Sequence, residues 1–199
     1  MKFRRFLALA PAMLALAAMF SVANSALAES APQVKFATTA GDFVVELYPD
    51  KAPKTVENFL QYVKDKHYDG TVFHRVISNF MVQGGGFDAN YVQKKTRAPV
   101  VHEGREALAK GGPRNVEGTL AMARTNDPQS ATAQFFINVK DNAFLDPSAQ
   151  SFGYTVFGKI ASGMDVIQKI KSSPTGAGGP FPTDVPQTPI LINSATLVK

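Results

Sequence analysis

The run Phe73-His74-Arg75-Val76-Ile77-Ser78-Asn79-Phe80-Met81-Val82-Gln83-Gly84-Gly85 places a cation, two phenylalanines, a thioether and an amide close together. An arginine guanidinium is always charged and carries its donors in a fixed fork. Apolar side chains beside it can hold an apolar group, while the donor aims a hydrogen bond at an adjoining acceptor atom in a medium of low dielectric. The set contains no nucleophile. Elsewhere the chain has no Cys, which excludes a disulfide framework, a thiolate nucleophile, an iron–sulfur cluster and a Cys-based zinc site. With only three His, a multi-histidine metal site is not expected. There is no G-x-S-x-G elbow and no G-x-x-x-x-G-K-[ST] phosphate loop. His102-Glu103 opens like an H-E-x-x-H zinc pair, but position 106 is Glu. Gly84-Gly85-Gly86 lacks dinucleotide spacing and suggests a turn or a close backbone approach. Asn126-Asp127 reads as a turn, and no pair of carboxylates stands out for acid–base work. An enzyme here works without nucleophile, metal or cofactor. The plainer reading of the run is a surface Arg, core Phe and Met, and a satisfied Gln.

The elements that must position these residues are mostly short strands. Val34–Thr38 and Phe43–Tyr48 flank Thr39-Ala40-Gly41-Asp42 as a hairpin. After Pro53 the period changes: Val56, Phe59, Leu60 and Val63 follow i, i+3, i+4, i+7, one face of a helix from about Pro53 to Lys66. Pro suits the first helical turn, where its missing N–H would have had no partner. Strand-like runs return at Thr71–Ile77, Phe80–Gln83, Gly118–Arg124, Gln134–Val139, Tyr154–Ile160 and Pro189–Val198. A second short helix is expected at Met164–Ile170. As a strand, Thr71–Ile77 places Phe73, Arg75 and Ile77 on one face, with Ser78-Asn79 as the turn into the next strand. Gly84–Glu117 and Ser172–Gln187 read as long loops. Eight strands and two helices predict a mainly β fold: a closed eight-stranded antiparallel barrel with two capping α-helices. A two-sheet sandwich is the alternative.

The chain has 199 residues, a formal charge of +5 and 45% hydrophobic residues, suited to one globular domain. Its first 28 residues read as a secretory signal peptide. Lys2, Arg4 and Arg5 precede an apolar run from Phe6 to Val22, and Ala26-Leu27-Ala28 offers small residues for cleavage before Glu29. A retained membrane anchor is the competing reading, since the run is close to the shortest span of about 17 residues. The small-residue exit favours cleavage. Residues 29–199 then form a single domain of 171 residues, with 18 basic and 16 acidic groups and a formal charge of +2. That charge gives no reason to invoke nucleic acid, and no membrane association is expected after cleavage. A chain without Cys is compatible with an oxidising compartment, and the leader suggests a bacterial periplasmic or secreted protein.

Further runs complete the pattern: Gly118-Thr119-Leu120-Ala121-Met122-Ala123-Arg124, Gln134-Phe135-Phe136-Ile137, Phe144-Leu145-Asp146, and Tyr154-Thr155-Val156-Phe157-Gly158-Lys159-Ile160. With the F-H-R-V-I-x-x-F-M-x-Q-G-G run, and in this order, they resemble the cyclophilin family of peptidyl-prolyl cis-trans isomerases, in its bacterial periplasmic branch. The resemblance covers essentially the whole chain after the leader. It implies the same eight-stranded barrel with two helices, no cofactor, no metal, and proline-containing unfolded or exposed polypeptide segments as partners. It implies that Arg75 is the catalytic arginine, grouped with Phe80 and Gln83. It implies that Phe80, Met81, Phe136 and Leu145 receive the proline ring and that Gln83 orients the substrate backbone. Ala123, Arg124 and Gln134 line the groove for residues preceding proline, and His74 matches the family's neighbour of the arginine.

Three positions depart from the family pattern. Phe144 stands where many members carry Trp, so cyclosporin binding is expected to be weak. Tyr154 stands where many carry a pocket His, and still supplies an aromatic wall and a hydroxyl. Arg124 replaces the usual Asn. A proline-peptide-binding chaperone module without significant catalysis is the runner-up function, but a pure binder has no need of the Arg75 donor. A lipocalin-like carrier needs a roomy interior, whereas the bulky alternation predicts a filled one.

Overall fold

The computed structural model describes residues 31–198; the signal-peptide segment 1–28 lies outside the described residues. Eight strands close into an antiparallel barrel: β1 (Gln33–Thr38), β2 (Gly41–Leu47), β3 (Thr71–Ile77), β4 (Met81–Asp88), β5 (Thr119–Met122), β6 (Phe135–Asn138), β7 (Val156–Ser162) and β10 (Leu191–Val198). Around the barrel the order is β1-β10-β3-β4-β6-β5-β7-β2. The barrel predicted from the strand pattern is present.

Its interior is solid. Phe36 and Phe43 stack with centroids 4.9 Å apart, and Phe135 meets Phe59 and Phe73 edge-on. Such offset and edge-to-face pairs are the favoured arrangements of aromatic rings. Helix α1 (Pro53–Lys64) buries Val56, Phe59 and Val63, as its period requires, and Phe59 reaches the rings of the barrel core. No side chain of its own caps it. Instead the buried Glu103 carboxylate accepts hydrogen bonds from Thr55 N (2.7 Å), Lys54 N (3.2 Å) and Thr55 Oγ1 (2.6 Å). A negative charge there also complements the helix dipole. Helix α3 (Met164–Lys171) buries Val166, Ile167 and Ile170 in the same core. With its centre filled, the barrel has no room for a carried ligand.

Four details depart from the sequence expectation. Among the described residues there are three α-helices rather than two: α2 (Gly104–Ala109) lies inside the stretch read as a loop. It has only six residues, of which Gly104 and Ala107 are buried, so it shows no apolar period. Strand β4 continues through Gly84-Gly85-Gly86 to Asp88, so these glycines serve a close approach and not a turn. A Cβ on Gly86 would lie 2.5 Å from the Gln134 side chain, and one on Gly84 3.1 Å from the Phe73 ring. The segment Ser172–Gln187 contains a hairpin, β8 (Thr175–Gly178) and β9 (Phe181–Pro186), outside the barrel.

The fourth correction concerns the face of β3. Phe73 pairs with Gly84 and Arg75 with Gln83, so two residues of β3 span one of β4. This is a β-bulge, and it reverses the alternation. Phe73 and Val76 therefore point into the core, while Arg75 is exposed and Ile77 packs on the outer face. Phe73, Arg75 and Ile77 do not share a face.

Candidate active site

The barrel register lays a row of residues across the outer face of four strands. Arg75 opposes Gln83, Gln83 opposes Phe136, and Phe136 opposes Ala121. Neighbouring strands lie about 4.8 Å apart, so Arg75, Gln83 and Phe136 are held side by side by backbone pairing alone. One step along, Ile77 opposes Met81. Alternation sends the intervening residues, Val82, Ile137 and Leu120, into the barrel. Outside it, Met81, Ala121, Phe136, Leu145 and Val156 form a second, smaller apolar cluster, with Phe80, Ala123 and Tyr154 packed against it.

A cavity of about 410 Å³ opens on this cluster, lined by Arg75, Phe80, Met81, Gln83, Ala123, Arg124, Phe136, Phe144, Leu145 and Tyr154. Within its lining Phe136 meets Tyr154 edge-on, at 5.4 Å between centroids. Phe80 and Phe144 stack at 5.5 Å and make one wall, although Phe144 is itself 72% exposed. Phe80 lies in the β3–β4 turn rather than in the strand expected to begin there. The Arg75 guanidinium has no hydrogen-bond or ion-pair partner among the described residues, so its donors are free for a bound molecule. Gln83 Nε2 donates to Gln134 Oε1 at 2.9 Å, and Gln83 lines the groove with no hydrogen bond to its side-chain oxygen among the described residues.

A second depression, of about 290 Å³, adjoins the first and shares Gln83, Ala123 and Arg124 with it. Gln134, Thr96, Ser130 and Thr132 line its far side. Arg124 stands between the two. Its guanidinium lies 4.6 Å over the Tyr154 ring, and its Nε and Nη2 donate to Gly153 O at 3.0 and 2.8 Å. Arg124 is therefore fixed as a partition, in contrast to the unpartnered Arg75.

The structure brings together every site residue predicted from the sequence except His74. That side chain is 3% exposed and packs against Phe87 and Phe181, away from the cavity. Desolvation, with a smaller contribution from Arg75, lowers its pKa from 6.5 to about 4, so it is neutral at ordinary pH. It is a core residue under the β8–β9 hairpin and does not line the groove. Burial also lowers the pKa values of His67 and His102.

Sequence reasoning missed the buried asparagines beneath the cavity. Asn115, Asn138 and Asn142 are each no more than 1% exposed and hydrogen-bond to one another. Asn138 follows Phe135-Phe136-Ile137 at a position where the alternation demands a residue facing the site. A buried Asn there was the available signal. Among the described residues, no group of three or more His, Asp or Glu could hold a metal ion, and no helix is long and apolar enough to cross a membrane.

Comparison with known proteins agrees with this geometry. The sequence profile of the family described as cyclophilin type peptidyl-prolyl cis-trans isomerase/CLD matches residues 33–197. The chain is 54% identical over 168 residues to the peptidyl-prolyl cis-trans isomerase cyp18 of Streptomyces antibioticus, covering 83% of this chain and 98% of that protein. It is 50% identical over 167 residues to peptidyl-prolyl cis-trans isomerase B of Escherichia coli, covering 82% and 98%. To peptidyl-prolyl cis-trans isomerase A of Dickeya dadantii it is 47% identical over 196 residues, 98% of each chain. Among solved structures, a Cryptosporidium parvum cyclophilin type peptidyl-prolyl cis-trans isomerase superposes with a TM-score of 0.65 at 22% identity, over 85% of this chain and 98% of that one.

Proposed function

We propose that this chain, which belongs to the cyclophilin-type peptidyl-prolyl cis-trans isomerase family, turns X–Pro bonds in exported polypeptides by aiming the Arg75 guanidinium at the proline nitrogen. The chain is a peptidyl-prolyl cis-trans isomerase, a rotamase of the closed-barrel kind.

Rotation about a peptide bond faces a barrier of about 18–20 kcal/mol because the C–N bond has double-bond character. The two X–Pro isomers differ by only about 0.5–1 kcal/mol but interconvert over tens to hundreds of seconds. No bond need break. In the twisted transition state resonance is lost and the proline nitrogen becomes pyramidal and basic. A donor placed at that nitrogen stabilises the twisted form more than the planar one, and only such differential binding accelerates the step. Arg75 fits this role because its donors are unpartnered while it stands beside Gln83 and an apolar cavity. Phe80, Met81, Phe136 and Leu145 hold the ring still, so rotation falls on the preceding carbonyl. Gln83, oriented by Gln134, engages the substrate backbone, and Ala123 and Arg124 border the residues before proline. A related Cryptosporidium parvum structure was determined in the presence of the dipeptide Ala-Pro, which supports a proline-containing peptide as occupant. Phe144 offers a smaller ring than Trp and no indole N–H, which supports weak cyclosporin binding.

The leader supports export: after cleavage at Ala28 the product acts in the periplasm on unfolded or exposed segments. The match to the Dickeya dadantii protein extends over 98% of both chains and so reaches into this leader. N-terminal sequencing of the protein recovered from a periplasmic extract tests this, with Glu29 as the expected first residue.

The free guanidinium beside the apolar cavity carries the mechanistic reading. Arg75→Ala is expected to lower turnover of a proline tetrapeptide by about 10²- to 10³-fold, as removal of one preorganised donor does elsewhere. Circular dichroism should show the barrel intact, and peptide affinity should change far less than turnover. A folded variant with parental turnover overturns the assignment.

A further inference from the structure

More than half of the residues that line the proline cavity are not on strands. Phe80 sits in the β3–β4 turn, and Phe144 and Leu145 sit in a single 3-10 turn, Ala143–Leu145. Backbone bonds tie each wall to the barrel separately, Val139 N donating to Phe80 O at 3.2 Å and Tyr154 N to Leu145 O at 2.9 Å. No strand pairing joins the two turns to each other, yet their rings stack and close one side of the pocket.

One buried side chain joins them. Asn142 Nδ2 donates to Phe80 O and to Asn138 Oδ1, each at 2.8 Å. Asn142 O accepts from Leu145 N at 2.8 Å, starting the 3-10 turn, and Asn142 N donates to Asn115 O at 2.8 Å. Asn115 in turn donates its amide to Leu145 O at 3.2 Å. Every polar contact of Asn142 thus ends on a wall of the cavity or on a residue that anchors one. It is 1% exposed and touches no reacting atom.

We propose that Asn142 is a positioning residue that sets the width of the proline pocket by tying the Phe80 turn to the turn that carries Phe144 and Leu145. This rests on the assignment of the cavity as the proline site. The walls grip the ring in the planar and twisted states alike, so Asn142 governs affinity, whereas Arg75 governs rate. Loss of binding common to both states raises KM and leaves kcat in place.

The test compares the full mature chain with Asn142→Ala, measuring tetrapeptide affinity by titration calorimetry and turnover in a protease-coupled assay. The expected result is affinity weakened about five- to tenfold, the size of one buried hydrogen bond, with kcat within about twofold of the parent. Introduced into Phe144→Ala, the same substitution should add less than about twofold, because one of the two tied walls is already gone. Additive effects, a loss confined to kcat, or a lower melting temperature with parental affinity each overturn the proposal. If Asn142→Ala does not fold, Asn142→Ser, which keeps a shorter donor, is read by the same split. The failure of the cavity assignment is distinguishable: it shows as parental turnover in Arg75→Ala, whatever the Asn142 ratio.

Discussion

His74 offers a measurable cost of filling a core with a titratable ring. It is 3% exposed between Phe87 and Phe181, its Nδ1 has no hydrogen-bond partner among the described residues, and Arg75 follows it in the chain. Protonation would put an uncompensated charge into that apolar sandwich, which is why its pKa falls from 6.5 to about 4. The unfolded chain binds a proton at ordinary imidazole pH, and the folded chain refuses it. Stability from His74 is therefore complete above the unfolded value and is lost as pH falls from 6.5 towards about 4. Between about pH 7.5 and about pH 5 the unfolded state gains nearly a whole proton, and linkage converts this to about 2 kcal/mol of lost stability. Urea unfolding at the two pH values measures it. His67 and His102 shift in the same direction, so the informative quantity is the difference between wild type and His74→Leu. The variant should retain about 2 kcal/mol more of its pH 7.5 stability at pH 5 than wild type does. Equal losses in the two proteins would refute the argument that burial holds this ring neutral.

Two further substitutions probe the supports of the site and the barrel. Gly86→Ala places a Cβ 2.5 Å from Gln134 Cδ, so that flexible side chain must swing away from Gln83. Turnover relative to KM should fall about fivefold, the worth of one hydrogen bond, with the circular dichroism spectrum unchanged; parental kinetics would show that the Gln83–Gln134 contact is idle. Glu103→Ala removes the acceptor of three hydrogen bonds at the start of α1 and should destabilise the protein by about 2–4 kcal/mol. A shift in urea midpoint worth less than about 0.5 kcal/mol would mean that water replaces the carboxylate at no cost.

Local patterns were legible where one physical rule acted alone. The face of α1 follows from a period of 3.6 residues, and its burial of Val56, Phe59 and Val63 required no knowledge of the barrel. The face of β3 was not legible, because a bulge between Phe73 and Arg75 depends on which residue of β4 lies opposite. A strict alternation puts Phe73 with Arg75, whereas the bulge turns Phe73 into the core and leaves Arg75 outside. The same bulge turns His74 beneath Phe181, a residue more than a hundred positions later, and so removes it from the groove. Helix α2 escaped because six residues with two buried positions carry no periodic signal.

The sequence by itself determined the chemistry that is possible: no thiol, a single unusual run pairing Arg75 with apolar residues, and motifs whose order resembles one family. It also narrowed the fold to a mainly β architecture, a closed barrel or a two-sheet sandwich, since eight short apolar runs with turns between them must bury one face and protect their edges. The tertiary structure alone decided which of those residues meet. Arg75 and Gln83 share one hairpin, but Phe136 lies more than fifty residues further along and joins them only through the register of β4 and β6. Asn142, beside the Leu145 wall, reaches the Phe80 wall through a hydrogen bond that spans 62 residues. Contacts of that separation depend on strand register and loop path, and no local rule of composition or period encodes them.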